Sequence, residues 1–249
     1  MSRGRPAPLR LAHVEQRPEV AVVVVPDEPP PGCEALVVQP ALAGAGQMGT
    51  PGRAGGGIVV RASLPGIGGR YLVRVARSAA AGGWAAEELA ALLVELERRC
   101  TYLLLASNVA PLVVSRSRRS GVHGPRRAVA WDGGVWSGAH RRDLAASARR
   151  VSGRGYLCAA AASGSAPPRT VAATLSDLTA SGVPVGRVRH GVAAALGASW
   201  AVELLGAPPL SAAQLQRLRE QFGAAPRCDW CGLPVVGRHC RRCSPGRHS

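Results

Sequence analysis

The clearest chemical pattern in this sequence is two pairs of cysteines near its C-terminus. Two residues separate the members of each pair, and eight residues separate the pairs. Each pair can form a tight turn that directs two thiolates at one ion, so the spacing predicts a closed tetrahedral Zn²⁺ site that stabilises structure. A redox pair or disulfides would give the same count, and His239 and His248 are possible substitute ligands. The all-cysteine set is preferred: Cys228, Cys231, Cys240 and Cys243.

This stretch resembles the small zinc-ribbon modules found at the ends of many bacterial proteins. Gly232 follows the second cysteine, and the PVVG turn after it matches the usual look of such modules, whereas Ser244 stands where they often have glycine. The resemblance covers only residues 226–245 and implies one zinc ion bound by four cysteines. No family is recognised for the whole chain.

Positive charge is the second pattern, and it is unevenly distributed. The chain has 31 arginines, no lysine and 15 acidic residues, giving a formal charge of +16. Residues 116–154 contain ten arginines against Asp132 and Asp143, a net charge of +8. Basic clustering is typical of phosphate-contacting surfaces. A solvated basic face that reflects GC-rich codon usage is the alternative. The predicted contacts in this segment are Arg116, Arg118, Arg119, Arg126, Arg127, Arg141 and Arg142.

A possible helix-turn-helix precedes the cysteines, at residues 170–197. Two apolar stripes at helical spacing flank the turn SGVP, a layout similar to that of many bacterial DNA-binding regulators. The second helix would present Arg187, Arg189 and His190 to the major groove, where arginine commonly reads guanine. Any pair of antiparallel helices needs the same stripes and turn, so this alternative stays open.

These segments must be positioned by an α+β fold. Residues 1–19 are predicted as a loose arm and 20–165 as an α+β domain with a mixed or antiparallel sheet and a packed helix. A helical segment at 168–225 follows, with Ser211 as an N-cap, and then the zinc ribbon and tail at 226–249. The predicted elements are strands 21–25, 35–39, 102–106, 112–115 and 155–162, helix 84–99, a hairpin of 58–64 with 70–77, and a hairpin around Asp132-Gly133.

Other classes of function have weaker support. No apolar run is long enough to span a membrane, and the N-terminal stretch has no uninterrupted apolar block, so a cytoplasmic protein is expected. The GxGxxG match at residues 44–49 is interpreted as a loop. His123, His140, Asp132 and Ser137 lie near one another in sequence, but their spacing does not indicate a catalytic site. The sequence therefore predicts a nucleic-acid-binding protein, with DNA slightly preferred. The alternatives are an adaptor for an acidic protein partner and an enzyme in the N-terminal domain.

Overall fold

The structure is a computed structural model that describes ten ranges of the chain. They are residues 20–24, 34–39, 58–62, 64–109, 128–132, 135–138, 146, 156–188, 191–229 and 232–235. Within them the chain forms nine strands and five helices, which confirms the predicted α+β class. Residues 1–19 and 112–115, predicted as a loose arm and a strand, lie outside these ranges.

The N-terminal strands form a small parallel sheet. Strands β1 (Val20–Val24), β2 (Glu34–Gln39) and β3 (Ile58–Arg61) lie side by side in that order, with β2 at the centre. Leu36 pairs with Val22 on one side and with Ile58 on the other. Both predicted strands in this region are confirmed, while the antiparallel hairpin predicted to continue from β3 is wrong.

That hairpin is replaced by helix α1 (Gly66–Ala81). The alternation of apolar and polar residues at 71–76 suggested a strand, but the buried positions Leu72, Ala76 and Ala79 recur at helical spacing. Arg70 and Arg74 fall on the exposed side of the same turns. Pro65 begins the helix at its N-cap, so the PGIGG segment is a helix start and not a hairpin loop.

Helix α2 (Ala86–Arg99) confirms the predicted helix. Glu87 and Glu88 lie in its first turn and Arg98 and Arg99 in its last, which complements the helix dipole. The Glu88 Oε2 atom accepts a hydrogen bond of 2.9 Å from the backbone N–H of Ala85. Helices α1 and α2 pack on the three parallel strands, α1 against β1 and α2 against β2 and β3.

A mixed sheet of six strands forms the second layer. Its order is β6-β5-β4-β9-β7-β8, and the strands are β4 (Thr101–Ala106), β5 (Ala128–Asp132), β6 (Val135–Gly138), β7 (Leu157–Gly164), β8 (Val185–Val188) and β9 (Trp200–Ala207). All neighbours are antiparallel except β7 and β8. The predicted pairing of β5 with β6 is confirmed. The turn residues 133–134 are outside the described ranges.

Strand β9 corrects the prediction of a helical segment at 168–225. All eight of its residues are buried, because β9 lies between β4 and β7 and both faces of the sheet are covered. The sequence of such a strand is a continuous apolar run, and periodicity alone does not distinguish this run from a buried helix.

The helix-turn-helix prediction is also wrong. Helix α3 (Arg169–Ala180) is present, but its expected partner is strand β8, parallel to β7, followed by the four-residue helix α4 (Val192–Ala195). Pro184 disfavours helical geometry at Val183, and β-branched Val185 and Val188 suit a strand. Arg187 therefore lies exposed on an edge strand.

Two apolar clusters lie on opposite faces of the six-stranded sheet. One joins the sheet to α1, α2 and α4 and to the small sheet, and the other joins it to α3. Helix α5 (Ala212–Ala224) starts at Ser211, whose hydroxyl accepts from the Gln214 N–H, so the predicted N-cap is confirmed. Among the described helices, none is both long and apolar enough to cross a membrane.

Candidate functional site

The most unusual polar group in the described interior is the carboxyl group of Glu203. It lies midway along β9, opposite Leu104 of β4, and its side chain is fully buried. Strand alternation places Glu203 on the face that α1 covers, together with Ala201 and Leu205. A carboxyl group on the central strand is costly unless hydrogen bonds compensate for its lost hydration.

Two donors meet at one oxygen of this carboxyl group. Glu203 Oε1 accepts a hydrogen bond of 2.5 Å from the Tyr102 hydroxyl and one of 2.9 Å from the Ile67 N–H in the first turn of α1. Glu203 Oε2 is buried and has no hydrogen-bond partner among the described residues. One oxygen of the carboxyl group is therefore hydrogen-bonded, and the other is not, within the described residues.

The electrostatics of the site are dominated by burial. Burial raises the pKa of Glu203, against the hydrogen bonds from Tyr102 and Ile67 and the positive charge of Arg70, which all lower it. Burial also raises the pKa of Tyr102 well above its ordinary value, and the neighbouring carboxyl group adds to this rise. Tyr102 consequently stays a neutral O–H donor.

The first residues of α1 leave space for the Glu203 side chain. Its N-cap, Pro65, has no side chain that can cap the helix, and Gly66 has a φ of 50°. A Cβ atom on Gly66 would lie 1.7 Å from Glu203 Oε1 and 2.5 Å from a methyl group of Val192. Glycine is needed here both for its backbone geometry and for the close approach of the carboxyl group.

A second buried carboxyl group lies on the other side of this turn. Glu97 of α2 accepts a hydrogen bond of 3.3 Å from the Leu64 N–H. Nearby, burial raises the pKa of Cys100 to about 12, with a further contribution from Glu97. Two glutamates from distant parts of the chain thus satisfy backbone donors around the start of α1, where the local sequence supplies no cap.

A group of serines at the end of the sheet is satisfied within itself. The Ser107 hydroxyl accepts from the Ser199 N–H at 2.8 Å and from the Ser199 hydroxyl at 3.1 Å, and the Ser165 hydroxyl donates to the Ser199 carbonyl oxygen at 2.9 Å. These bonds join the ends of β4 and β7 to the start of β9. No histidine falls in the described ranges, so this part of the chain contains no serine–histidine pair for nucleophilic catalysis.

The chain is similar in fold to a DegV family protein. That protein, from Corynebacterium glutamicum, is 16% identical, with a TM-score of 0.51, and the match covers 72% of this chain and 76% of that one. The sequence itself matches no protein-family model and no curated protein.

Two further solved structures are similar at lower scores. A DegV family protein from Eubacterium eligens, loaded with heptadecanoic acid, has a TM-score of 0.48 at 12% identity and covers 71% of this chain and 73% of its own. A fatty-acid-binding DegV family protein from Thermus thermophilus has a TM-score of 0.48 at 18% identity and covers 70% and 71%.

The fold likeness corrects the prediction that the chain resembles known proteins only in a short C-terminal zinc ribbon, because the structural likeness covers 72% of the chain. No zinc ribbon is shown, since the described residues contain no group of three potential metal ligands. Of the four cysteines only Cys228 is described. It is buried in a turn where the Gly232 N–H donates to the Cys228 carbonyl oxygen at 2.8 Å; Cys231, Cys240 and Cys243 lie outside the described ranges.

The predicted nucleic-acid function was wrong. The supposed recognition helix is strand β8, and the fold is like that of a DegV family protein over 72% of the chain. The same finding contradicts the predicted partners, which were nucleic acid and an acidic protein. Arg187 is the one predicted contact that the structure describes. The others lie outside the described ranges: Arg116, Arg118, Arg119, Arg126, Arg127, Arg141, Arg142, Arg189 and His190.

Sequence reasoning did not find Glu203, Tyr102 or the start of α1. One signal was available, because Glu203 is a single acidic residue within the apolar run WAVELLGA. An acid in such a run is either at an element's end or buried for a reason. Assigning the run to a helix concealed its central place in the sheet.

Proposed function

We propose that this protein binds a single-chain lipid of the fatty-acid class. The observation that carries the proposal is the fold likeness to the Corynebacterium glutamicum DegV family protein over 72% of the chain. Proteins of the same family from Eubacterium eligens and Thermus thermophilus are described with heptadecanoic acid and as fatty-acid binding. On the sequence grounds above, we place this binding in the cytoplasm.

The chemistry of the interior supports the proposal. A hydrocarbon chain requires an apolar environment with few polar groups, and these groups fix the orientation of the lipid. The apolar cluster between the helices and the six-stranded sheet is almost wholly aliphatic, with Leu64, Val192 and Leu196 each at most 3% exposed. The carboxyl group of Glu203 and the hydroxyl group of Tyr102 lie within this cluster, and the Glu97 carboxyl group and the Ser163 hydroxyl group are buried at its edges. We place the lipid on this face of the sheet, with its polar end toward Glu203.

Direct detection of bound lipid tests the proposal. The full chain is purified, extracted with organic solvent and analysed by mass spectrometry, and the delipidated protein is titrated with dodecanoate in a calorimeter. We expect about one lipid per chain and saturable binding. Absence of both extracted lipid and saturable binding would contradict the proposal.

A matched pair of variants locates the lipid. Val192→Trp adds bulk beside Glu203, and Val183→Trp adds the same bulk on the opposite face of the sheet, where Val183 is likewise buried. Overpacking costs about 1–3 kcal/mol in stability at either position. We expect only Val192→Trp to abolish dodecanoate binding. Equal losses in both folded variants would argue against this placement.

A further inference from the structure

Helix α1 carries an arginine stripe, which consists of Arg70, Arg74 and Arg77. All three residues are exposed. At about 3.6 residues per turn and about 1.5 Å of rise per residue, they fall within about 60° of arc and about 10 Å of helix length. Arg70 and Arg74 take part in no salt bridge within the part of the chain that the structure describes. The stripe therefore presents three positive charges close together on one face of the helix.

The charge of α1 distinguishes it from the other long helices that are described. Helix α1 has three arginines and no acidic residue. Helix α2 has four glutamates against two arginines, α3 has one residue of each sign, and α5 has two arginines against one glutamate. The arginine-rich composition of the chain explains why the cations are arginines, but it does not explain a helix from which acidic residues are missing.

An apolar edge runs beside the arginine stripe. Ile67, Tyr71 and Val75 recur every fourth residue next to the arginines, and each is half-buried against the core, so part of each side chain faces outward. Arginines beside partly exposed apolar and aromatic side chains are typical of a helix that lies on a bilayer surface. The guanidinium groups meet lipid phosphates there, while the apolar groups enter the head-group region.

We propose that α1 docks the protein on the surface of an anionic lipid bilayer, with the arginine stripe against the head-group phosphates. Helix α1 also covers the face of the six-stranded sheet on which the proposed function places the lipid. A protein that carries a fatty acid exchanges it with a lipid phase, because the hydrocarbon chain is poorly soluble in water. The use of this surface for exchange rests on the proposed function, whereas docking itself requires no bound fatty acid.

Vesicle sedimentation tests the inference on the full chain. The probes are vesicles of phosphatidylcholine alone and of equal parts phosphatidylcholine and phosphatidylglycerol, in about 0.1 M and about 1 M salt. We expect binding to the anionic vesicles only, and its loss in the higher salt, where the Debye length falls from about 10 Å to about 3 Å. Equal binding to both kinds of vesicle would overturn the inference. Binding to neither would also overturn it and leave the stripe as a solvated basic face.

Replacing the arginine stripe by glutamine tests whether α1 is the docking surface. Each arginine near an anionic surface raises the partition coefficient about fivefold, so Arg70→Gln, Arg74→Gln and Arg77→Gln together should lower it about 100-fold. Lysine at the same three positions keeps the charge and should retain binding within about fivefold of the wild type. Circular dichroism checks that each variant is folded.

A second triple variant controls for the positive charge of the whole chain. It removes three exposed arginines from α3, β8 and α5, namely Arg169→Gln, Arg187→Gln and Arg217→Gln. These positions lie outside α1, so we expect the partition coefficient to stay within about fivefold of the wild type. Equal losses in the two glutamine variants would overturn the inference, because they would show that only the net charge matters.

Titration with dodecanoate separates this inference from the proposed function. Loss of vesicle binding in the α1 glutamine variant, with unchanged affinity for dodecanoate, supports both. Vesicle binding by a protein that does not bind dodecanoate supports docking and contradicts the proposed function. Dodecanoate binding by a protein that does not bind anionic vesicles overturns docking alone.

Discussion

Replacing Gly66 by alanine tests the geometry of the site through stability. The new Cβ atom would lie 1.7 Å from Glu203 Oε1, and Gly66 has a φ of 50°, in the left-handed region. The backbone strain costs about 1–2 kcal/mol. Displacing the carboxyl group leaves the buried donors of Tyr102 and Ile67 without their acceptor, at about 1–3 kcal/mol more. We expect Gly66→Ala to lower the free energy of unfolding by about 2–5 kcal/mol in total.

Gly83→Ala is the matched control for the strain. Gly83 has a φ of 75°, and a Cβ atom there would have nothing within 4 Å, so only the cost of about 1–2 kcal/mol should remain. Unfolding in urea, followed by tryptophan fluorescence and circular dichroism, measures both variants. In a Glu203→Ala background, the cost of Gly66→Ala should fall by about 1–3 kcal/mol, which a double-mutant cycle isolates. Equal costs for the two glycine variants, or perfect additivity in the cycle, would refute the reasoning.

Four further predictions concern acidity, thiol reactivity, packing and metal content. Burial raises the pKa of Glu203 above its ordinary value of 4.5, so the folded state favours the neutral carboxyl group. The contribution of Glu203 to stability is therefore fully present below pH 4.5 and is lost as the pH rises through the raised pKa. Unfolding free energies of the wild type and Glu203→Gln should therefore diverge over this window, and parallel pH curves would contradict it. Cys100, fully buried and with a pKa of about 12, should resist iodoacetamide in the native state at pH 8, while half-buried Cys158 reacts slowly. Peptide mass mapping distinguishes the two, and rapid native labelling of Cys100 would count against its burial. Phe222→Ala should cost about 3–5 kcal/mol by urea unfolding, since its ring packs edge-on at 6.4 Å from that of Trp84; a loss below about 1 kcal/mol would show that α5 is not held there. The cysteine spacing predicts about one zinc ion per chain by elemental analysis of protein purified under reducing conditions, and absence of stoichiometric metal would exclude zinc at Cys228, Cys231, Cys240 and Cys243.

The elements predicted correctly are those whose local sequence pattern fits only one type of secondary structure. Helix α2 has an apolar stripe, acidic residues at its start and basic residues at its end, and the structure places it at Ala86–Arg99. Strands β1 and β2 are short β-branched runs bounded by turn residues. The Ser211 cap also follows from local chemistry, because its hydroxyl and the N–H that it accepts from are three residues apart.

The elements predicted wrongly have patterns that fit two structures. The run at 71–76 alternates like a strand but is also amphipathic as a helix, and packing of Leu72 and Ala76 selects the helix. Trp200–Ala207 is apolar throughout, so nothing in its spacing separates a central strand from a buried helix. The β-branched residues of Val185–Val188 suit a strand, but the spacing of its apolar residues also fits a helix, and pairing with β7 selects the strand.

The sequence alone determines the charge of the chain, which depends on composition, and the spacing of its cysteines, which depends on residues close together in sequence. The α+β class also follows from local periodicity. Only the tertiary structure places Glu203 against Tyr102 and Ile67, residues separated from it by 101 and 136 positions. Their meeting depends on β9 lying beside β4 and on α1 crossing that face of the sheet. The sequence shows a single acid in an apolar run, but the buried carboxyl group with one paired and one unpaired oxygen is defined only by this packing.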